Sequence, residues 1–391
     1  MKILAITTIR SDYDLMSSLY QALNQDPEIE LKLLIAGAHN SPTYGLTIEQ
    51  IRDDGFDILL NSETLLDSDS KVGRLKSASI MLLSFIDSVA NYNPDLILYA
   101  GDREDVIIGS LLGAYLSIPT MHFFSGDHAA DGHVDNPVRH ATSKLSTFHC
   151  ASIEHHKERL LAIGEPSKRI AVIGSIALDR FLSFKSENMT EICSQLKIQA
   201  NPKRMALVIF HPINEEKDEA VTILETIINT LQENNIFAFV SAPNSDPNNR
   251  PLIEMKNKYI NNDQVYFYKT LPRNIFLSIF KNSDLIIGNS SAGILEAASI
   301  PIPAINVGKR QVGRISNKNV IFCDTSNSAI TDAIIKATSD CFKKEISNIK
   351  NLYGDGKSIE KAVYLIKNTN FNELLYKKED PLDMYKEAKN D

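Results

Sequence analysis

Residues 285–314 read LIIGNSSAGILEAASIPIPAINVGKRQVGR. The opening LII is an uninterrupted apolar run, as expected of a parallel strand buried on both faces. GNSSAG breaks it, AGILEAASI follows with helical spacing, and IPAINVG supplies a second apolar run. Strand, turn, helix and strand form the unit of parallel sheets, because parallel neighbours need a crossover connection. The turn suits a phosphate: small residues let a ligand approach the backbone, and a helix start offers unpaired N–H groups. Ser290 and Ser291 add hydroxyl donors and Gly293 keeps the turn small. Glu296, about a turn and a half along, is placed for sugar hydroxyls, as acidic residues are in dinucleotide folds. An ordinary serine-capped helix with an exposed glutamate fits the same pattern, and neither a Walker nor a GxGxxG motif is present.

The same order recurs on both sides. Upstream in the second half stand MALVIFHP, the helix EAVTILETIINTLQ, IFAFVSAPN and VYFYKTLP, and downstream stands NVIFCDT. The first half alternates KILAITTIR, IELKLLIAG, DLILYAGDR, IPTMHFF, FHCAS and RIAVIGS with helical segments, after a polar stretch that precedes SASIMLLSFIDSVANY. Between 181 and 203 the pattern weakens into mixed polar residues. The chain is therefore expected to form two doubly wound, Rossmann-like α/β domains facing a cleft. They span 1–180 and 204–365, with a linker at 181–203 and a tail at 366–391 that packs back on the first domain or frays. Strand carboxyl ends should face the cleft, where open α/β sheets bind ligands.

Bulk properties bound the function. A length of 391 residues exceeds what one core usually serves, and 43% hydrophobic with 23% charged residues is a globular balance. The net charge of −8 is mixed along the chain, with no basic stripe for nucleic acid. No run nears the roughly 20 apolar residues of a membrane span, and the N-terminus is too short in apolar residues for a signal peptide. Four scattered cysteines without CxxC argue for a reducing compartment and against disulfides, so a cytoplasmic location is expected. Seven of nine histidines lie between His122 and His156, but without HExxH or zinc-type Cys/His spacing no metal is expected.

Polar residues cluster where strands should end: Thr7 to Tyr13, Gly101 to Asp105, and His211. Another cluster, Asp127, Asp131, Asp135, Arg139 and His140, suits acid–base chemistry. Asp102, at a strand end, fits a strand-end cap salt-bridged to Arg103. No GxSxG elbow is present, and Arg10 stands where a dinucleotide turn needs glycine, so no NAD is expected.

In order along the chain run RSDY (10–13), GDRED (101–105), D…RHATSKLS…H (135–149), GEPSKRIAVIGS (164–175), FHP (210–212) and GNSSAGILEA…IPAINVGKRQVGR (288–314). From Ile3 to about Val320 the sequence resembles the hydrolysing UDP-N-acetylglucosamine 2-epimerases of sialic-acid-type pathways, whose signature is GNSSxGxxE…P…NxGxRQxGR. The resemblance implies a glycosyltransferase-B-like fold, a homodimer, and no metal or nicotinamide cofactor. It implies UDP binding by Arg10, Arg103, His211, Asn244, Ser290, Ser291, Glu296 and Arg310, with Asp14, Arg139 and Gly293 beside them. Catalysis would fall to Asp102 and Asp135, joined by Asp127 and His211. The implied reaction removes the proton from sugar carbon 2 as UDP departs, then adds water to the glycal to give the free 2-epimer.

One stretch departs from that family. Its H-x-[EH]-G-G-E is replaced by His122-Phe123-Phe124-Ser125-Gly126-Asp127, and Phe124 cannot transfer a proton. Either Asp127, His122 or Asp131 supplies the missing group, or the sugar is a modified one such as a 2,4-diacetamido-6-deoxy sugar, or the protein binds without turnover. A hydrolysing 2-epimerase of a UDP-2-acetamido sugar is the leading expectation. A glycosyltransferase of the same fold and a non-catalytic UDP-sugar sensor are the alternatives.

Overall fold

The computed structural model describes residues 1–68, 70–129, 133–180, 184–200, 202–213, 218–243 and 248–382. Among these, thirteen strands form two wholly parallel sheets. The first holds β1 (Lys2–Thr7), β2 (Glu30–Ile35), β3 (Ile58–Asn61), β4 (Leu96–Ala100), β5 (Thr120–Phe123), β6 (Phe148–Ala151) and β7 (Ile170–Val172), in the order β3-β2-β1-β4-β5-β6-β7. The second holds β8 (Met205–Ile209), β9 (Phe237–Ser241), β10 (Val265–Tyr268), β11 (Leu285–Gly288), β12 (Ala304–Val307) and β13 (Val320–Cys323), ordered β10-β9-β8-β11-β12-β13.

The apolar runs serve two faces at once. In β1, Ile3 and Ala5 enter one core with Tyr13, Met16 and Leu19, while Leu4 and Ile6 enter another with Met81, Phe85 and Val89. In β8, Ala206 and Val208 face one layer and Met205, Leu207 and Ile209 the other. This period-2 partition of all-apolar strands is what helices on both faces demand.

Strand order reverses between β1 and β4, and again between β8 and β11. Such switch points open a crevice beyond the strand ends. At the second, Gly288 has φ +138, and a Cβ there would stand 2.1 Å from the Ile209 carbonyl oxygen. Only glycine lets β11 leave so close beside β8.

Two local features differ from the sequence reading. The polar stretch hides an edge strand, β3, whose residues are only partly buried and so lack a long apolar run. The helix after GNSS is a single short element, Ser291–Leu295, followed by a 3-10 turn at Ala297–Ser299. The 3-10 turn stops at Ile300, where the following Pro301 disfavours helical backbone.

The chain returns to the first lobe near its end. Ala362 and Ile366 of the helix Ser358–Asn368, with Phe371, enter the core under β1. Arg169 donates to the carbonyls of Thr147 and Tyr376, pinning the segment beyond. The two passages between lobes are stitched together: Asp179 accepts the N–H groups of Ser358 (3.1 Å) and Ile359 (2.7 Å), and Ser175 donates to the Tyr353 carbonyl at 2.7 Å. Among the described residues no helix is long and apolar enough to cross a membrane.

Gly288→Ala should cost at least about 2 kcal/mol, because left-handed strain adds to a backbone clash. Gly55→Ala, with φ +78 but open space around it, should cost about 1 kcal/mol. Denaturant unfolding of the two variants checks the difference.

Candidate active site

Both switch points open into one cleft between the sheets. The residues just past β1, β4, β8 and β11 line it: Arg10, Asp102 with Arg103, His211, and Ser290 with Ser291. The helix Asp135–Leu145 adds Asp135 and Arg139, and Asp14, Asp127, Glu296 and Arg310 complete the expected set. One expected residue stands apart. Gly293 faces the sheet, where an added Cβ would lie 3.4 Å from the Ala304 methyl. Asn244 lies outside the described residues, as does Asp131.

The second lobe's side is built around Asn289, fully buried, which the sequence did not single out. Its side chain accepts the His211 N–H and donates to the His211 carbonyl, both at 2.8 Å, so it locks the ends of β8 and β11 together. Its own carbonyl receives Arg310 Nη1 at 3.1 Å and Gln311 Nε2 at 2.9 Å. Arg310 is thereby held over the Ser290–Ser291 turn. The Ser290 hydroxyl accepts from the Ala292 N–H at 3.3 Å, so the ordinary helix cap and the phosphate-suited turn are the same residues.

Glu296 is the C-cap of its short helix and is buried, not an exposed helix residue. It accepts from Arg180 of the first lobe. Burial pushes its carboxyl up from the usual range, against the pull of Arg180. A reciprocal pair lies opposite: Arg314 of the second lobe reaches Asp127 of the first at 2.9 Å. Both arginines line the cleft, yet Arg180 fell at the expected boundary and Arg314 at the end of the RQVGR motif, where nothing local marks them.

Asp127 is held on every side. It accepts the His128 N–H at 2.8 Å and meets His156 Nε2 at 3.3 Å as well as Arg314. Burial opposes its charge, but Arg314, His156 and Arg139 outweigh that and hold the carboxyl well below its ordinary range. A group so firmly ionised carries protons poorly. His122, in β5, is fully buried, and its Nε2–H donates to the Gly101 carbonyl at 2.8 Å. Burial pulls its imidazole down to about 3, so it is a neutral prop beneath Asp102.

Asp102 pairs with Arg139, not with Arg103. Burial raises its carboxyl, and the carboxylates of Asp135 and Asp127 add to the rise against Arg139. Asp135 is the opposite case. Burial works against its charge, but a hydrogen bond from His133, with Arg103 and Arg74, holds it below the usual range. His133 Nδ1 stands 3.0 Å from Asp135 Oδ2, and Arg74 lies 3.4 Å from Oδ1. Two neighbouring carboxyls with opposed tendencies are what paired acid and base work requires. Phe124 forms the wall nearby, with φ +59, a left-handed backbone that a bulky residue adopts only under local constraint.

Comparison with known proteins agrees with this geometry. A family model described as UDP-N-acetylglucosamine 2-epimerase matches residues 21–367. A UDP-N,N'-diacetylbacillosamine 2-epimerase (hydrolyzing) of Legionella pneumophila is 32% identical over 366 residues, covering 94% of this chain and 95% of that one. A GDP/UDP-N,N'-diacetylbacillosamine 2-epimerase (hydrolyzing) of Campylobacter jejuni is 30% identical, covering 96% and 98%. Among solved structures, the UDP-GlcNAc 2-epimerase of Neisseria meningitidis bound to UDP-GlcNAc superposes with a TM-score of 0.76 at 20% identity, over 94% of this chain and all of that one. The fold is the glycosyltransferase-B-like one of these structures, and the chain belongs to the UDP-N-acetylglucosamine 2-epimerase family.

Proposed function

We propose that the protein is a hydrolysing 2-epimerase of a UDP-2-acetamido sugar, releasing UDP and the free 2-epimeric sugar through a glycal. The observation that carries the reading is the pairing across the cleft. An arginine-lined serine turn suited to a diphosphate faces two neighbouring carboxyls, Asp102 and Asp135, of opposed ionisation. Carbon 2 lies beside no carbonyl, so its proton leaves only if a placed base acts as the leaving group is stabilised. Arg10, Arg103, Arg310 and His211 supply cationic or hydrogen-bonding groups for the departing diphosphate. Asp135, held ionised, belongs on the accepting side, and Asp102, inclined to keep its proton, on the returning side. Arg139 then serves to place Asp102, and Asp14 sits between Arg10 (3.7 Å) and Arg273 (3.5 Å).

Of candidate sugars, a 2,4-diacetamido-6-deoxy sugar fits better than N-acetylglucosamine. The cleft wall carries Phe124 and Phe276, surfaces that suit a methyl group rather than a hydroxymethyl. The names of the Legionella and Campylobacter relatives point the same way, and a product of this kind would serve nonulosonic acid synthesis.

We further propose a homodimer through the long helix Lys71–Tyr92. Its outer stripe exposes Val72, Leu75 (71%) and Leu83 (74%), and Tyr115 on the adjacent helix Glu104–Leu116 is 84% exposed. Large apolar side chains exposed along one helix are what an interaction surface requires.

Three outcomes are expected. In deuterated water, proton NMR should show UDP release and a free acetamido sugar deuterated at carbon 2, and Asp102→Asn should cut free-sugar formation by about 10²–10⁴-fold with UDP affinity nearly unchanged. Intact UDP-sugar with UDP still bound would refute turnover. Arg310→Ala should weaken UDP itself by about 1.5–3 kcal/mol in calorimetric titration, as one charge-assisted bond is lost. Leu75→Asp with Leu83→Asp should convert the dimer to monomer in sedimentation.

A further inference from the structure

The motif GEPSKR, residues 164–169, lies outside the cleft lining, yet it holds a fully buried carboxylate. Glu165 meets side chains from three segments: His149 Nε2 of β6 and Lys144 Nζ, each at 2.8 Å, and Lys377 Nζ of the C-terminal tail at 2.5 Å. A charge taken out of water needs such partners. Burial opposes the charge of Glu165, but His149, Lys377 and Lys144 outweigh that and hold the carboxyl well below its ordinary range. Arg169, buried in the same motif, grips the tail on both sides of Lys377. It donates to the Tyr376 carbonyl at 3.2 Å and lies 3.4 Å from Glu379, which also pairs with Lys168.

The tail cation does more than balance Glu165. Lys377 Nζ also donates to the carbonyls of Ser143 at 3.0 Å and Lys144 at 2.9 Å, in the last turn of the helix Asp135–Leu145. The last four carbonyls of a helix have no partner within it, and a cation there complements the helix dipole. The first turns of the same helix carry Asp135 and Arg139 into the cleft. One turn beyond Arg139, the Ser143 hydroxyl donates to the Arg139 carbonyl at 3.0 Å and stands 3.3 Å from His122 Nδ1. His122 in turn supports the Gly101 carbonyl, next to Asp102. At the cleft end, Asn136 and Arg139 tie the helix to the backbone of Ala129 and Asp127, in the loop after β5. With 11 residues the helix is about 16 Å long, so a shift at its far end is carried to its first turn.

Resting on the proposed 2-epimerase reading, we propose that Lys377 of the tail is a positioning residue of the active site. By clamping the last turn of the helix Asp135–Leu145 it sets the height and tilt of the first turn. It thereby fixes where Asp135 and Arg139 stand relative to Asp102, Arg103 and Arg74. Loosening the clamp lets Arg139 drift from Asp102, and Asp135 from Arg103 and Arg74, with the serine turn of the other lobe undisturbed. A displacement of about 1 Å caused by a substitution far from the chemistry can cost about 10²-fold in rate.

The test uses the full chain with Lys377→Met, which keeps an unbranched stem but has no charge or donor, and with Lys377→Arg, which keeps both. Amide hydrogen exchange, UDP affinity and UDP release from the UDP-diacetamido sugar and UDP-N-acetylglucosamine are measured on each. In Lys377→Met, exchange over 135–145 should rise about tenfold while exchange over the second-lobe sheet stays at the parent level, as the loss of a bonded helix end implies. The kcat should fall by about 10²-fold, with KM and UDP affinity near those of the parent. The acid limb of its kcat–pH profile, which reports the base Asp135, should move to higher pH. Burial then acts on Asp135 with less opposition from His133, Arg103 and Arg74. Lys377→Arg should recover most of the rate and the parent profile. Parent-like exchange over 135–145, exchange that rises equally in both lobes, or a parent kcat despite a loosened helix would overturn the assignment. If the unaltered protein binds UDP but releases none from either sugar nucleotide, the enzymatic reading fails, and exchange over 135–145 still decides whether Lys377 holds the helix.

Discussion

Each lobe presents a buried carboxylate to the cleft, and each is met by an arginine of the other lobe. Arg180 reaches Glu296 and Arg314 reaches Asp127, with all four side chains nearly removed from water. Removing one member of such a pair typically costs about 3–5 kcal/mol, since the survivor is left charged and dry. The cleft geometry rests on this exchange. Arg314 fixes Asp127, whose carbonyl accepts Arg139 Nη1 at 3.0 Å, and Arg139 in turn holds Asp102. A contact between lobes is thereby passed through three side chains to the carboxyl most inclined to keep a proton.

The same network explains how acids crowded into one cleft take different states. Burial raises them all, and what differs is the number of cations each meets. Asp127 meets Arg314, Arg139 and His156 and stays charged. Asp102 shares Arg139 with that neighbour and feels two other carboxylates, so it rises. Sequence position alone does not rank them, because both belong to segments rich in both signs.

The fold was largely legible, since fully apolar strands alternating with amphipathic helices admit few arrangements other than two parallel sheets. What escaped was local. β3 is an edge strand whose residues are half-buried, so it carries no long apolar run. Much of the cleft was also readable, because polar residues after buried strands fall where switch points open: Arg10, Asp102, Arg103, His211, Ser290 and Ser291 converge there. Asn289, Arg180 and Arg314 were not, as their roles are partnerships over long sequence separations.

The stitching at Asp179 has a mechanical consequence. The polypeptide passes between lobes twice, and both passages are fastened to each other by Asp179 and by the Ser175–Tyr353 bond. A body joined at one pin can twist as well as swing, whereas two strands fastened side by side behave as a strap hinge. Relative motion of the lobes is then confined mainly to a single angular coordinate, like the cover of a book about its spine. Such a hinge keeps each residue on one page in register with the same partner on the other.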